Sequence, residues 1–286
     1  MIISVIVNYM NFKETIKFIQ QENLTSIDKF IIVDNSSSNE SYEKLLEIKS
    51  NRIHVIQSNK NGGYAFGNNI GIEYAKQFNP SFIILNNTDI SISNDSIVDC
   101  MNLLTQNETY GVITPSMVNF KNEILDSAWK FPTYGSSILR SSMILSKLFR
   151  RRFFYTYSSA IHKVDCIQGS FMMFKSEALF KISPLLETQF LYGTEDYIGY
   201  SLYKAKYDVI VNYDDKYIHE HNYHKRTIKT ELQHYKLLQQ DRLNLLKHIY
   251  RLGTIRVLIF KTATFLGFIE RSIILFILKM FRRNIK

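Results

Sequence analysis

Four short apolar runs rich in β-branched residues, at 2–7, 30–33, 53–56 and 82–85, recur through the first hundred positions, each separated from the next by an amphipathic stretch. Runs this short suit strands buried on both faces, and the stretches at 15–21, 42–48 and 67–78 read as crossover helices. Strand, crossover and parallel strand connect right-handedly, so the pattern predicts an α/β fold with a mostly parallel, Rossmann-like central sheet. A helix over 94–104, capped by Ser93 or Asn94, and a strand over 111–114 continue it. Further strands are expected at 164–167, 171–174, 208–211 and 217–219, with helices from Ser176 and over 194–204. The rest is helical. Between 119 and 163, where Trp129, Phe131 and Pro132 precede a run of arginines and phenylalanines, no period is assignable, and the segment reads as mobile or substrate-covering.

A hydrophobic fraction of 45% and an aromatic fraction of 14% exclude a disordered chain. Cys100 and Cys166 are too few for a disulfide framework and lack neighbours at zinc-ligand spacing, so both are expected in packing, in a reducing cytoplasm. The opening apolar run is too short for a signal peptide and has no basic segment before it. The formal net charge of +9 collects in the carboxyl-terminal half. No basic stripe interleaves regularly with stacking aromatics, which argues against nucleic acid and leaves anionic small molecules or an anionic membrane surface as partners.

The chemistry-bearing residues stand where the early strands end. Asn8 and Tyr9 follow the first, Asp34, Asn35 and Ser36 the second, Asn59, Asn61, Gly62 and Gly63 the third, and Asn87 and Asp89 the fourth. In an open α/β sheet these carboxyl ends share one edge, where ligands collect. Asp34 there can accept hydrogen bonds from a base or a ribose hydroxyl, with Asn8 and Tyr9 framing the base; it can equally form a turn and cap the next helix. The stretch 61–69 leads into a helix whose first amides can meet a phosphate, although its glycine spacing is not the dinucleotide fingerprint. Asp89, after an apolar strand, can hold a hard divalent cation that bridges a diphosphate.

Taken in order, Asn8 and Tyr9, the edge at 33–36, the loop at 61–69, the turn at 85–89, the stretch 169–173, the sequence 192–196 and His219 resemble family 2 inverting glycosyltransferases, most closely their rhamnosyltransferase branch. The likeness spans roughly residues 2–246 and implies a GT-A fold with a helical carboxyl-terminal extension. It implies nucleotide-sugar contacts from Asn8, Tyr9, Asp34, Asn61, Gly63, Asn69 and Asn87. It further implies a metal site, for Mg²⁺ or Mn²⁺, at Asp89 and His219, with His221 as the alternative histidine. Asn87 stands where the family's first metal-motif aspartate is usual. Asp196 matches the catalytic base; its neighbour Glu195 is the rival, and first-turn acids behind a Thr194 cap are also ordinary helix chemistry. His219, His221 and His224 do not complete a zinc tetrahedron. Lys225 and Arg226 read as a solvated pair, and Tyr235, Arg242 and Asn244 match a helical pattern of the same branch that packing explains nearly as well.

The catalytic domain is drawn at 1–225 and a helical region at 226–286. Within the latter, residues 252–281 are strongly apolar, but Arg256, Lys261, Glu270, Arg271 and Lys279 interrupt every stretch long enough to span a bilayer. A helix or hairpin lying on an anionic membrane is therefore expected, with Arg282, Arg283 and Lys286 adding attraction. The expected function is non-processive, inverting transfer of a sugar, rhamnose first, from a nucleoside diphosphate to a bacterial surface glycan or its lipid-linked precursor, at the inner face of the plasma membrane. The alternative is a non-catalytic nucleotide-sugar-binding or membrane-scaffold protein.

Overall fold

The structure, a computed structural model of the 286-residue chain, describes residues 1–21, 24–219 and 227–283. Its elements in chain order are β1 (Ile2–Asn8), α1 (Phe12–Ile19), β2 (Lys29–Asp34), α2 (Ser41–Leu46), β3 (Ile53–Gln57), α3 (Tyr64–Ala75), β4 (Phe82–Asn86), β5 (Ile90–Ile92), α4 (Asn94–Gln106), β6 (Tyr110–Val118) and β7 (Ala128–Trp129). There follow α5 (Tyr134–Leu139), α6 (Met143–Leu148), α7 (Arg150–Phe153), β8 (Ile161–Val164), β9 (Cys166–Ile167), β10 (Phe171–Lys175), α8 (Ser176–Ile182), α9 (Thr194–Lys204), β11 (Asp208–His219), α10 (Ile228–Tyr250) and α11 (Thr254–Arg283). The described residues form two compact units. The first takes those of Met1–Lys130, Tyr155–Glu187 and Thr194–His221, the second those of Phe131–Phe154, Thr188–Gly193 and Asn222–Lys286. The helical region drawn at 226–286 is thus joined by two earlier segments that contact it in space.

In the first unit one sheet runs β3-β2-β1-β4-β10-β6-β11-β5, with β8 paired to β11. Strands β1 to β4 are mutually parallel, as the crossover pattern predicts, and β6 is parallel to β11. Strand β10 enters antiparallel between β4 and β6. Successive residues of β1 serve opposite cores: Ile3 and Val5 pack with Ile31, Val33, Ile72 and Leu85, whereas Ile2 and Ile6 pack with Phe18, Ile32, Ile84 and Leu104. Each such side chain contributes roughly 1.5–3 kcal/mol on burial. Covering both faces is what makes these strands read as unbroken apolar runs. The register pairs Asn8 with Asp34 and Asp34 with Gln57, so the polar strand ends arrive side by side.

Two strands differ from expectation. Residues 208–211 and 217–219 belong to one strand, β11, whose pairing with β6 shifts register between Asn212 and Lys216. A bulge absorbs the polar residues between, and Asp215 there accepts from Ser96 Oγ at 2.6 Å. β5 has only three residues, too few to show a period. The 119–163 stretch carries β7, α5, α6, α7 and β8, each of nine residues or fewer, which is why no period emerged.

In the second unit, α10 and α11 pack through Leu243, Leu246 and Phe260. Tyr235 places its hydroxyl 2.9 Å from the carbonyls of both Ser141 and Thr264, and Arg271 pairs with Glu231 at 2.9 Å. Asn244 donates to Thr188 O and Arg242 to Gln239 within α10, whereas Tyr235 ties α10 to α11 and to Ser141. The Asp241 carboxylate accepts the backbone N–H groups of Phe190, Leu191 and Tyr192. The apolar 252–281 stretch forms a single helix from Thr254 rather than a hairpin. Among the described residues no helix is long and apolar enough to cross a membrane.

Candidate active site

The first strand ends are bound to one another. Asn8 Nδ2 donates to Asp34 Oδ1 at 2.8 Å while Asn8 Oδ1 accepts from Thr15 Oγ1 at 2.9 Å. Asp34 is fully buried, and its carboxylate also accepts Ser37 Oγ at 2.6 Å and Ser37 N–H at 3.0 Å. Of the two readings of Asp34, the geometry displays the turn-forming one, and Asn8 orients Asp34. Ser37 Oγ in turn accepts Met10 N–H at 2.8 Å, pinning the loop after β1 to the loop after β2. Tyr9 stands at this edge 47% exposed, open to a ligand.

Asn61 Oδ1 accepts from Asn35 Nδ2 and from Gly63 N–H, and Asn35 also donates to Gly63 O. Gly63 has φ +89° at the cap of α3, a conformation that a side chain would strain. No side chain caps this helix, so its first amides point from a positive helix end without an internal acceptor. Asn69, expected with them, lies elsewhere. Its Nδ2 donates to Leu185 O at 2.9 Å and Glu187 Oε1 at 2.8 Å, and its Oδ1 accepts Leu185 N–H at 2.7 Å, so it clamps the segment after α8. Its position one and a half turns into α3 turns it away from the loop that precedes the helix.

The pair proposed for a cation from sequence meets in space. His219, the last residue of β11, is paired in register with Ile90 of β5, which places it beside Asp89. His219 Nε2 lies 3.2 Å from Asp89 Oδ1, with the imidazole 1% and the carboxylate 31% exposed. His219 Nδ1 faces Met117 Sδ at 3.4 Å. A carboxylate and an imidazole at one point are donors that fit a divalent cation. Among the described residues no group of three or more His, Cys, Asp or Glu forms a closed metal cage. Asn87 lies in the same turn, its N–H donating to Ser170 O at 3.0 Å. His221, His224, Lys225 and Arg226 lie outside the described residues.

Gly169 and Ser170 connect this turn to the acidic pair on α9. A Cβ on Gly169 would lie 2.7 Å from Glu195 Oε1, and Gly169 O accepts from Tyr64 Oη at 3.0 Å. Burial, reinforced by the charge of Glu195, pushes the Tyr64 phenol far above its ordinary range, so it remains a donor. Glu195 therefore covers the Gly169 turn, and Asp196, one residue and about 100° around the helix, faces elsewhere. Its Oδ1 accepts from Trp129 Nε1 at 2.6 Å. Trp129, Tyr64 and Met117 were not attached to the site from sequence; each approaches from a segment more than sixty residues from its partner, with no local signal.

Comparison with known proteins gives consistent matches. The model of the family described as "Glycosyl transferase family 2" matches residues 2–182, more than half of the chain. A low-salt glycan biosynthesis hexosyltransferase of Haloferax volcanii, Agl10, is 29% identical over 192 residues, covering 67% of this chain; the chain spans 58% of that relative's length. Among solved structures, GalNAc-T7 with UDP, GalNAc and Mn²⁺ aligns with TM-score 0.54 and 12% identity over 76% of this chain and 43% of its own. The mannosyltransferase PcManGT from Pyrobaculum calidifontis, in complex with GDP-Man and Mn²⁺, aligns with TM-score 0.53 and 13% identity over 82% and 63%. TarS 1-349 of S. aureus aligns with TM-score 0.52 and 12% identity over 94% and 71%. At such identities the structural likenesses speak for the fold.

Proposed function

The chain belongs to glycosyl transferase family 2 with a GT-A fold, and on that premise we propose that it transfers a sugar from a nucleoside diphosphate to a surface-glycan acceptor, with inversion at the anomeric carbon. The observation that carries the reading is the Asp89 and His219 pair, 3.2 Å apart at the strand edge that the Gly169 and Ser170 turn links to α9. The nucleotide lies along Tyr9, Gly63 and Asn87, while Asn8, Asp34 and Asn61 hold the loops that present them. Asp196 accepts the proton of the acceptor hydroxyl as its oxygen attacks the anomeric carbon. The bond from that carbon to the diphosphate oxygen breaks, and the nucleoside diphosphate leaves with the electron pair. Asp89 and His219 Nε2 would hold a divalent cation, which would supply positive charge to the diphosphate. Deoxythymidine diphosphate rhamnose is the first donor in this reading, followed by the hexose donors of other family members.

The test is diphosphate release from a panel of nucleotide sugars with Mn²⁺ or Mg²⁺ and a lipid-linked glycan acceptor. Release from one donor, stopped by a chelator and accompanied by glycosylated acceptor, is expected. Tight nucleotide-sugar binding without turnover for any donor and acceptor would instead establish the non-catalytic alternative.

A lipid-carried acceptor fits α11. Ile255, Leu258, Ile259, Phe265, Leu266, Ile269, Ile273, Phe276, Ile277 and Met280 are all at least 40% exposed. At 100° per residue they form one stripe about 120° wide along the helix, opposite Phe260 and Gly267, which pack inward. Lys261 and Lys279 border the stripe on one side. Between α10 and α11 lies a cavity of about 370 Å³ lined by Lys236, Lys261, Phe260 and Phe268. The protein is expected to sediment with vesicles containing phosphatidylglycerol and about tenfold less with phosphatidylcholine alone. The double substitution Ile273→Asp and Phe276→Asp, on exposed positions, is expected to abolish that recovery; undiminished recovery would remove α11 from the membrane contact.

A further inference from the structure

We propose that Trp129 and Cys166 are positioning residues that hold the Asp196 carboxylate in a single orientation toward the acceptor hydroxyl, a proposal that rests on the reading of Asp196 as the base. The argument starts from the two-stranded sheet β7–β9. Its antiparallel register places Trp129 directly opposite Cys166, so both side chains leave the same face of the small sheet. Helix α9 lies on β9 without a spacer. A Cβ on Gly199 would collide with the carbonyl oxygen of Asp165 and come 2.9 Å from Cys166 Sγ, so only glycine permits the approach. Asp196 is three residues before Gly199 on the same helix face and is carried against the pair by that contact. Its Oδ1 takes the Trp129 N–H at 2.6 Å, a short bond of the charge-assisted kind. The Cys166 thiol is buried on that same face beside the carboxylate, and burial together with the Asp196 charge keeps it protonated.

Both donors suit a support for a base. An indole N–H is a donor only and does not titrate, and the thiol is held in its neutral form, so neither competes for the proton that Asp196 must accept. A lysine or histidine there would form an ion pair or take the proton itself. The fixed indole donor, with the thiol packed beside it, instead restricts the carboxylate's rotation, which a general base needs more than extra basicity.

Trp129 is the only tryptophan in the chain, so indole fluorescence reports on the surroundings of this residue, the Asp196 carboxylate among them. In the wild-type protein the emission is expected to follow an acid titration as the carboxylate protonates, and in Asp196→Asn that titration is expected to disappear. Identical emission and pH dependence in the two proteins would overturn the contact. For turnover, Trp129→Phe keeps a ring for packing and removes the N–H. Its kcat is expected to fall about tenfold to a hundredfold with the donor KM within about twofold, and the acid limb of its pH profile is expected to move upward, because a carboxylate that loses a donor becomes easier to protonate. A fall in kcat with an unmoved acid limb, or no fall at all, would overturn the positioning role. Cys166→Ser, which retains a donor, is expected to keep more activity than Cys166→Ala, and the reverse order would remove Cys166 from the support. The fluorescence comparison does not depend on catalysis, and transfer retained by Asp196→Asn would reject the base without touching the contact.

Discussion

Asp196→Asn is expected to lower kcat by about 10²–10⁴-fold while leaving donor affinity within about twofold. The amide has the size of the carboxylate and can still accept from Trp129 Nε1, now 2.6 Å from Oδ1, so packing against β7 and β9 survives. What disappears is the group able to receive a proton as the acceptor oxygen attacks. Donor binding is unaffected because the nucleotide edge is built separately, by the Asn8, Asp34, Asn35 and Asn61 bonds. Calorimetric titration of the donor and single-turnover transfer, performed on the same preparation, separate the two terms. Glu195→Gln is the internal comparison: its side chain covers Gly169, so its loss is expected to disturb the turn without a comparable fall in kcat. If the glutamate variant is the dead one and the aspartate variant turns over, the assignment of the base reverses.

The second large effect is expected at Asp89. On the proposed metal site, Asp89→Asn removes one of two cation donors and the negative charge that would attract the ion, so kcat/KM is expected to fall by about 10²-fold or more and the Mn²⁺ needed for half-maximal rate to rise at least tenfold. His219→Gln is expected to act in the same direction but less steeply, since the Asp89 charge that attracts the ion remains. The pairing of Asp89 with His219 at 3.2 Å predicts that the two losses are not additive, because each donor is useful only with the other in place. Activity of Asp89→Asn measured against metal concentration decides the matter. A variant with an unchanged metal requirement and an unchanged rate would sever Asp89 from the diphosphate.

Most of the architecture was legible because it is written in local pattern. The β-branched runs became β1 to β4, the helix expected over 194–204 is α9 to the residue, and Ser93 caps α4 through Ser96 N–H at 3.0 Å. The meeting of Asp89 and His219 is what the family resemblance implied. Other features had no local trace. The side chain of Asn69, expected among the nucleotide-sugar contacts, bonds Leu185 and Glu187, more than a hundred residues away, and clamps that segment. Asn8 bonds Asp34 because the parallel register sets the two residues opposite each other.

Periodicity and turn chemistry therefore specify which segments become strands and helices and which polar residues end them, because those preferences act over a few residues of backbone. The attachment of Trp129 and Cys166 to Asp196, the single bulged strand β11 and the recruitment of residues 131–154 and 188–193 to the helical unit depend on registers and close approaches across long loops. Such contacts leave no imprint on neighbouring residues, since hydrogen bonds and packing are short-ranged in space and indifferent to distance along the chain.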